Sequence, residues 1–120
     1  YKKNLRQRHL IAKRYIKNFM NNKKINHMPY SKDCSFFIFQ IFCNNRDKIL
    51  KELKNKNIGV SVHYSNALPK MTYYKKKYNL NINKYKNADS YGCTNISLPV
   101  YPKLKMTEVD KICKTIIGLI

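Results

Sequence analysis

The side chains able to do acid–base, nucleophilic or metal chemistry are few in this 120-residue chain: six acidic residues, three histidines and four cysteines. The carboxylates form no paired set for general acid and base work. No Gly-rich phosphate loop and no Ser-His-Asp arrangement is legible. Cys34, Cys43, Cys93 and Cys113 contain no Cys-x-x-Cys pair, so the spacing of a zinc site is missing. Cys43 and Cys113 fall in apolar patterns and read as small core residues. What remains is His63 followed by Tyr64. An imidazole and a phenol at a strand end suit hydrogen bonding to hydroxyls and phosphate oxygens. The bland alternative is a histidine with one backbone partner beside a packed tyrosine.

Charge invites a different function. The formal net charge is +19, a balance that ordinarily points to a polyanion partner. The excess is nearly all Lys, with Arg only at Arg6, Arg8, Arg14 and Arg46. Arg is the side chain that reads phosphates and guanines with a fork of donors. Lys, Asn, Ile and Tyr share A/T-rich codons, so a biased genome yields this composition without selection for binding. A small basic nucleic-acid-binding module is the alternative reading. It requires Arg or Lys clustered with exposed aromatics on one face.

The elements that must position His63 and Tyr64 follow from periodicity. Leu5 to Met20 has the spacing of an amphipathic helix. Residues 23–34 read as a polar loop. Ser35 to Cys43 reads as the strongest strand, apolar on both alternating sets and therefore core, buried on both faces or lying under a helix with its other face against a partner surface. Asn44 or Asn45 can cap the next helix, whose stripe is Ile49, Leu50 and Leu53. Gly59 to Tyr64 is expected as a short strand that stops at or near His63, because successive side chains on a regular strand point to opposite sides. Thr72 to Tyr78 is a short basic helix, Lys84 to Gly92 a further helical stretch, and Ile96 to Leu98 a strand stopped by Pro99 and Pro102. Thr107 is expected to start the last helix with Asp110 as its capping-box residue. The sum is one domain, an α+β two-layer α/β sandwich of roughly three strands.

Three stretches in fixed order resemble the C-terminal domain of the DegT/DnrJ/StrS family of sugar aminotransferases. The first is Asn57-Ile58-Gly59-Val60-Ser61-Val62-His63-Tyr64. The second is Leu68-Pro69-Lys70-Met71-Thr72-Tyr73-Tyr74-Lys75-Lys76-Lys77-Tyr78. The third joins Ala88-Asp89 to Ile96-Ser97-Leu98-Pro99-Val100-Tyr101-Pro102-Lys103-Leu104 and Thr107-Glu108-Val109-Asp110. Arg8 to Tyr15 and Phe36 to Phe42 are similar to the family's preceding helix and strand, and Asp89 stands where members usually carry Glu.

The resemblance implies the small C-terminal domain of a fold-type-I enzyme, with residues 1–22 as its leading helix and 35–120 as the domain proper. It implies a pyridoxal 5'-phosphate-dependent transfer of an amino group, commonly from glutamate, to a nucleotide-linked keto-sugar in amino-sugar and surface-polysaccharide biosynthesis. A cytoplasmic homodimer is expected, without membrane association. The Schiff-base Lys and the cofactor contacts are expected in a preceding large domain, so this chain reads as a fragment with no catalytic, cofactor-binding or metal-binding residue of its own. His63 and Tyr64 are its substrate-binding candidates.

Overall fold

The computed structural model describes residues 1–120. A three-stranded antiparallel sheet forms the centre, with strands β1 (Asn26–His27), β2 (Phe39–Phe42) and β3 (Asn95–Leu98) in that spatial order. The pairing places Phe39 opposite Leu98, Gln40 opposite Ser97, Ile41 opposite Ile96 and Phe42 opposite Asn95. Because side chains alternate across a strand, Phe39, Ile41, Ile96 and Leu98 share one face, and Gln40, Phe42, Asn95 and Ser97 share the other. The apolar face carries the core. Helices α1 (Lys2–Phe19), α2 (Arg46–Asn55) and α5 (Met106–Leu119) contribute to it Ile11, Tyr15 and Phe19, then Ile49 and Leu53, then Val109, Ile112 and Ile116. Tyr15 stacks on Phe39 at 5.1 Å, and its hydroxyl donates to the Pro99 carbonyl at 3.0 Å. Arg14 grips Asp110 with two hydrogen bonds of 2.7 and 2.6 Å, and Asn18 adds a third, which locks α1 to α5. Cys43 and Cys113 are buried in the core.

Several expectations are corrected. The polar loop at 23–34 contains β1. The long strand at 35–43 is shortened to Phe39–Phe42, because Phe36 turns the chain with a left-handed φ of 45°. That turn buries Phe36 against His9 and Tyr30, and it leaves Phe37 68% exposed rather than in the core. The last helix starts at Met106 with Lys105 as its N-cap. Glu108, not Asp110, closes the capping box by accepting the Lys105 amide at 2.8 Å, because a helix capped at Lys105 puts its N3 position at Glu108; Asp110 lies further along the helix and pairs with Arg14. The helical stretch near 84–92 is a 3-10 turn, Ile82–Tyr85, followed by α4 (Lys86–Thr94). Helix α3 (Thr72–Tyr78) stands where expected.

The expected strand at 59–64 is reduced to one bridge, Ser61 with Ser97, through two backbone hydrogen bonds of 3.2 and 2.8 Å. Pairing ends there because side chains, rather than a neighbouring strand, satisfy the backbone of His63.

Candidate functional site

His63 and Tyr64 lie over the polar face of the sheet. Asn95, with no exposed surface, is the hub. Its Oδ1 accepts the His63 amide at 3.1 Å. Its Nδ2 donates to the Tyr64 carbonyl at 3.2 Å and to the Tyr91 carbonyl at 2.7 Å. From β2, Gln40 Nε2 donates to the His63 carbonyl at 2.9 Å, and Gln40 Oε1 accepts the Tyr91 hydroxyl of α4. The Asn95 carbonyl itself accepts from the buried Arg46 guanidinium at 3.2 Å. Both backbone groups of His63 and the carbonyl of Tyr64 are thus held by side-chain amides. Buried polar groups must find such partners, so the segment is tied to the sheet without belonging to it.

The His63 ring is half-buried. Its Nδ1 meets the Ser97 hydroxyl at 2.8 Å, with the Ser61 hydroxyl 3.3 Å away. The Ser97 contact fixes the ring while leaving Nε2 the less committed nitrogen. Tyr64 is 75% exposed, and its ring meets the His63 ring edge-to-face at 5.5 Å. The two rings therefore share one side of the chain, which a regular strand would not allow. Together they present a ring nitrogen and a phenol, a donor–acceptor pair suited to hydroxyl or phosphate oxygens.

The loop behind the pair rests on α4. A Cβ at Gly92 would stand 3.2 Å from the Ser65 carbonyl oxygen and 3.3 Å from the Ala67 nitrogen, a tight contact that would push the loop outward slightly, so glycine favours this close approach. Lys70 reaches back to Asp89 of α4 at 2.9 Å, and this contact raises the Lys70 pKa, first through the hydrogen bond and then through the charge.

Sequence reasoning singled out His63 and Tyr64 but missed the residues that hold them: Gln40, Ser61, Tyr91, Asn95 and Ser97. A signal was available. Gln40 is the one polar side chain in an otherwise apolar run, and Asn95 and Ser97 alternate with Ile96 and Leu98. Polar residues at every second position of a strand mark a face with its own partners.

All lysines are exposed, from Lys2 to Lys114. A Schiff-base lysine is activated by desolvation or by a cationic neighbour, and these are solvated. Within this chain none of them has the desolvated setting of a pyridoxal-phosphate anchor. No group of three or more His, Cys, Asp or Glu is placed to hold a metal ion, and no helix is long and apolar enough to cross a membrane. The clustering required of a nucleic-acid module occurs in part. Tyr64, Tyr73, Tyr78 and Tyr85 are exposed in the same stretch of sequence as exposed Lys70, Lys75, Lys76, Lys77, Lys84 and Lys86. Lys77 itself lies over the rings of Tyr73 and Tyr78, at 5.2 and 5.5 Å, and covers the faces on which bases would stack.

Comparison with known proteins supplies what the chain's own chemistry does not. Residues 1–117 match the DegT/DnrJ/EryC1/StrS aminotransferase family. Spr1654 of Streptococcus pneumoniae, a proposed sugar aminotransferase solved in its PLP form, superposes with a TM-score of 0.85 at 27% identity, over 99% of this chain and 32% of that one. A DegT DnrJ EryC1 StrS aminotransferase from Brucella abortus gives 0.80 at 26% identity, over 97% and 31%. Helicobacter pylori PseC, an aminotransferase involved in the biosynthesis of pseudoaminic acid, shares the fold at 22% identity and a TM-score of 0.83, over 96% and 32%. The uncharacterized protein MJ1066 of Methanocaldococcus jannaschii is 41% identical over 68 residues, which are 57% of this chain and 17% of that protein. The chain spans about a third of the solved relatives.

Proposed function

This chain belongs to the DegT/DnrJ/EryC1/StrS aminotransferase family, and from that premise we propose that it is the small domain of a sugar aminotransferase in which His63 and Tyr64 bind the sugar substrate. The observation that carries the reading is the exposed Tyr64 ring held beside half-buried His63 by Asn95 and Gln40. A fixed backbone holds the exposed phenol and the half-buried imidazole side by side, where both can reach hydroxyl or phosphate oxygens of one ligand. The substrate class is a nucleotide-linked keto-sugar. His63 Nε2 and the Tyr64 hydroxyl hydrogen-bond its hydroxyl or phosphate oxygens and orient the carbonyl carbon.

Pyridoxal phosphate, present in the Spr1654 structure, supplies an electron sink when bound. Since every lysine here is solvated, the Schiff-base Lys and the cofactor contacts are assigned to the remaining part of a full-length enzyme. Glutamate is the amino donor in this reading, and the enzyme is a cytoplasmic homodimer acting in amino-sugar and surface-polysaccharide biosynthesis. Residues 1–22 serve as the leading helix and 35–120 as the small domain.

The test uses the enzyme expressed from its complete gene, glutamate, and a panel of uridine-, thymidine- and guanosine-diphosphate keto-sugars. One panel member is expected to be aminated. His63→Ala is expected to raise the barrier for that sugar by about 1 to 3 kcal/mol, the loss of one hydrogen bond to a neutral or charged oxygen, with cofactor binding retained. Unchanged sugar turnover, or loss of cofactor in step with turnover, would falsify the assignment.

A further inference from the structure

We propose that Gln40 and Asn95 are positioning residues for sugar recognition: two amides on one face of the sheet clamp the His63–Tyr64 segment, and Tyr91 braces the clamp from α4. The proposal rests on the substrate-binding reading of His63 and Tyr64.

Three observations carry it. The first is completeness. The His63 amide, the His63 carbonyl and the Tyr64 carbonyl each meet one of these two side chains, at 3.1, 2.9 and 3.2 Å. No strand holds them, since pairing stops at Ser61. The second is commitment. Asn95 uses its oxygen once and its nitrogen twice, and Gln40 uses one donor and one acceptor. Neither amide can rotate without losing these contacts, and at Asn95, which is fully buried, rotation would leave a polar atom unpaired. The third is chemistry. The clamp needs a donor and an acceptor on one side chain, which Asn and Gln offer and their acids do not. An Asp at 95 would accept from the His63 amide but could not donate to the Tyr64 and Tyr91 carbonyls. A Glu at 40 would accept the Tyr91 hydroxyl but could not donate to the His63 carbonyl.

The acids therefore separate positioning from packing, since they keep the volume and lose the donor. Neither amide needs to touch the sugar. Each acts by fixing where the His63 ring and the Tyr64 hydroxyl stand. A misplacement of about 1 Å in a site of this kind costs on the order of 100-fold in rate.

The experiment compares Gln40→Glu, Gln40→Leu, Asn95→Asp and Tyr91→Phe with the parent in the full-length enzyme. Two readouts are taken. One is backbone hydrogen exchange of the peptide spanning residues 61–66. The other is the rate of each half-reaction, followed by cofactor absorbance with glutamate and with the keto-sugar of the panel that the parent aminates best. The expected result is exchange at least about tenfold faster in the two Gln40 variants and in Asn95→Asp. The sugar half-reaction should fall about 10- to 100-fold, and the glutamate half-reaction much less. Gln40→Glu should resemble Gln40→Leu, and Tyr91→Phe should be milder than either. Unchanged exchange overturns the clamp. Faster exchange with both half-reactions reduced alike overturns positioning in favour of a structural role. Faster exchange with neither half-reaction changed overturns the proposal at its root, since His63 and Tyr64 are then not the sugar site. Asn95→Asp is the variant most exposed to misfolding, because it buries a carboxylate. Half-exposed Gln40 keeps the test decisive if Asn95→Asp does not fold.

Discussion

Between Ser61 and Thr94 the chain contributes one buried residue, Gly92, whereas the residues before and after supply all nineteen members of the apolar core. The flanking region is held by burial, with Tyr15, Phe19, Phe36 and Phe39 at its centre. The excursion is held by polar contacts: the Asn95 and Gln40 amides, the Lys70–Asp89 pair and the close seat of the 65–67 loop on Gly92. Apolar burial is strong and non-directional, and hydrogen bonds are weaker but fix geometry. The candidate site stands where the second kind prevails, and a sheet made rigid by the first kind carries it.

The comparison can be broken by mutation. Phe39→Ala should cost about 3 to 5 kcal/mol in denaturant unfolding, as expected for an aromatic removed from a packed core. Tyr73→Ala, on exposed α3, should stay within about 0.5 kcal/mol. Similar losses at the two sites would show that the excursion shares the core's cooperativity.

Hydrogen exchange sharpens it next. Amides of β2 and β3 should exchange only through global opening, and those of residues 65–85 through local opening at much lower free energy. Equal protection would remove the distinction between the two regions.

A smaller effect is expected from acid. Asp110 is held down to about 2 from its ordinary 3.8, first by the Arg14 hydrogen bond and then by that of Asn18. A carboxyl with a lowered folded-state pKa stabilises fully above the ordinary value, and its contribution disappears as pH falls through about 2. Unfolding followed from neutral to strongly acidic pH should show this loss for the parent and a flatter profile for Asp110→Asn. The pair is partly exposed, so the effect should shrink with added salt.

The smallest perturbation is thiol labelling under native conditions. Cys93 is exposed and should react first with a disulfide reagent. Cys113, pushed up to about 11 chiefly by burial, and Cys43, also raised by burial, should stay silent until the core unfolds. Rapid labelling at Cys113 would mean that α5 opens as easily as the excursion.

Helix α3 and the amphipathic faces of α1 and α5 were legible from the chain alone, because helical period and apolar spacing are local properties. So was the need for the chain to leave strand geometry beside His63 and Tyr64, since alternation forbids two neighbouring side chains of a strand from sharing a side. Tertiary structure decided the rest. It placed β1 in a segment without a strand pattern, turned Phe36 out of a continuous apolar run to pack on His9 and Tyr30, and paired Asp110 with Arg14, 96 positions away, in a helix whose capping box Glu108 closes. It also brought Gln40, Tyr91 and Asn95 to His63 from positions 23 to 32 residues distant. A hydrogen bond between such partners leaves no periodic trace in sequence, because it depends on where separate elements meet and not on the propensity of either.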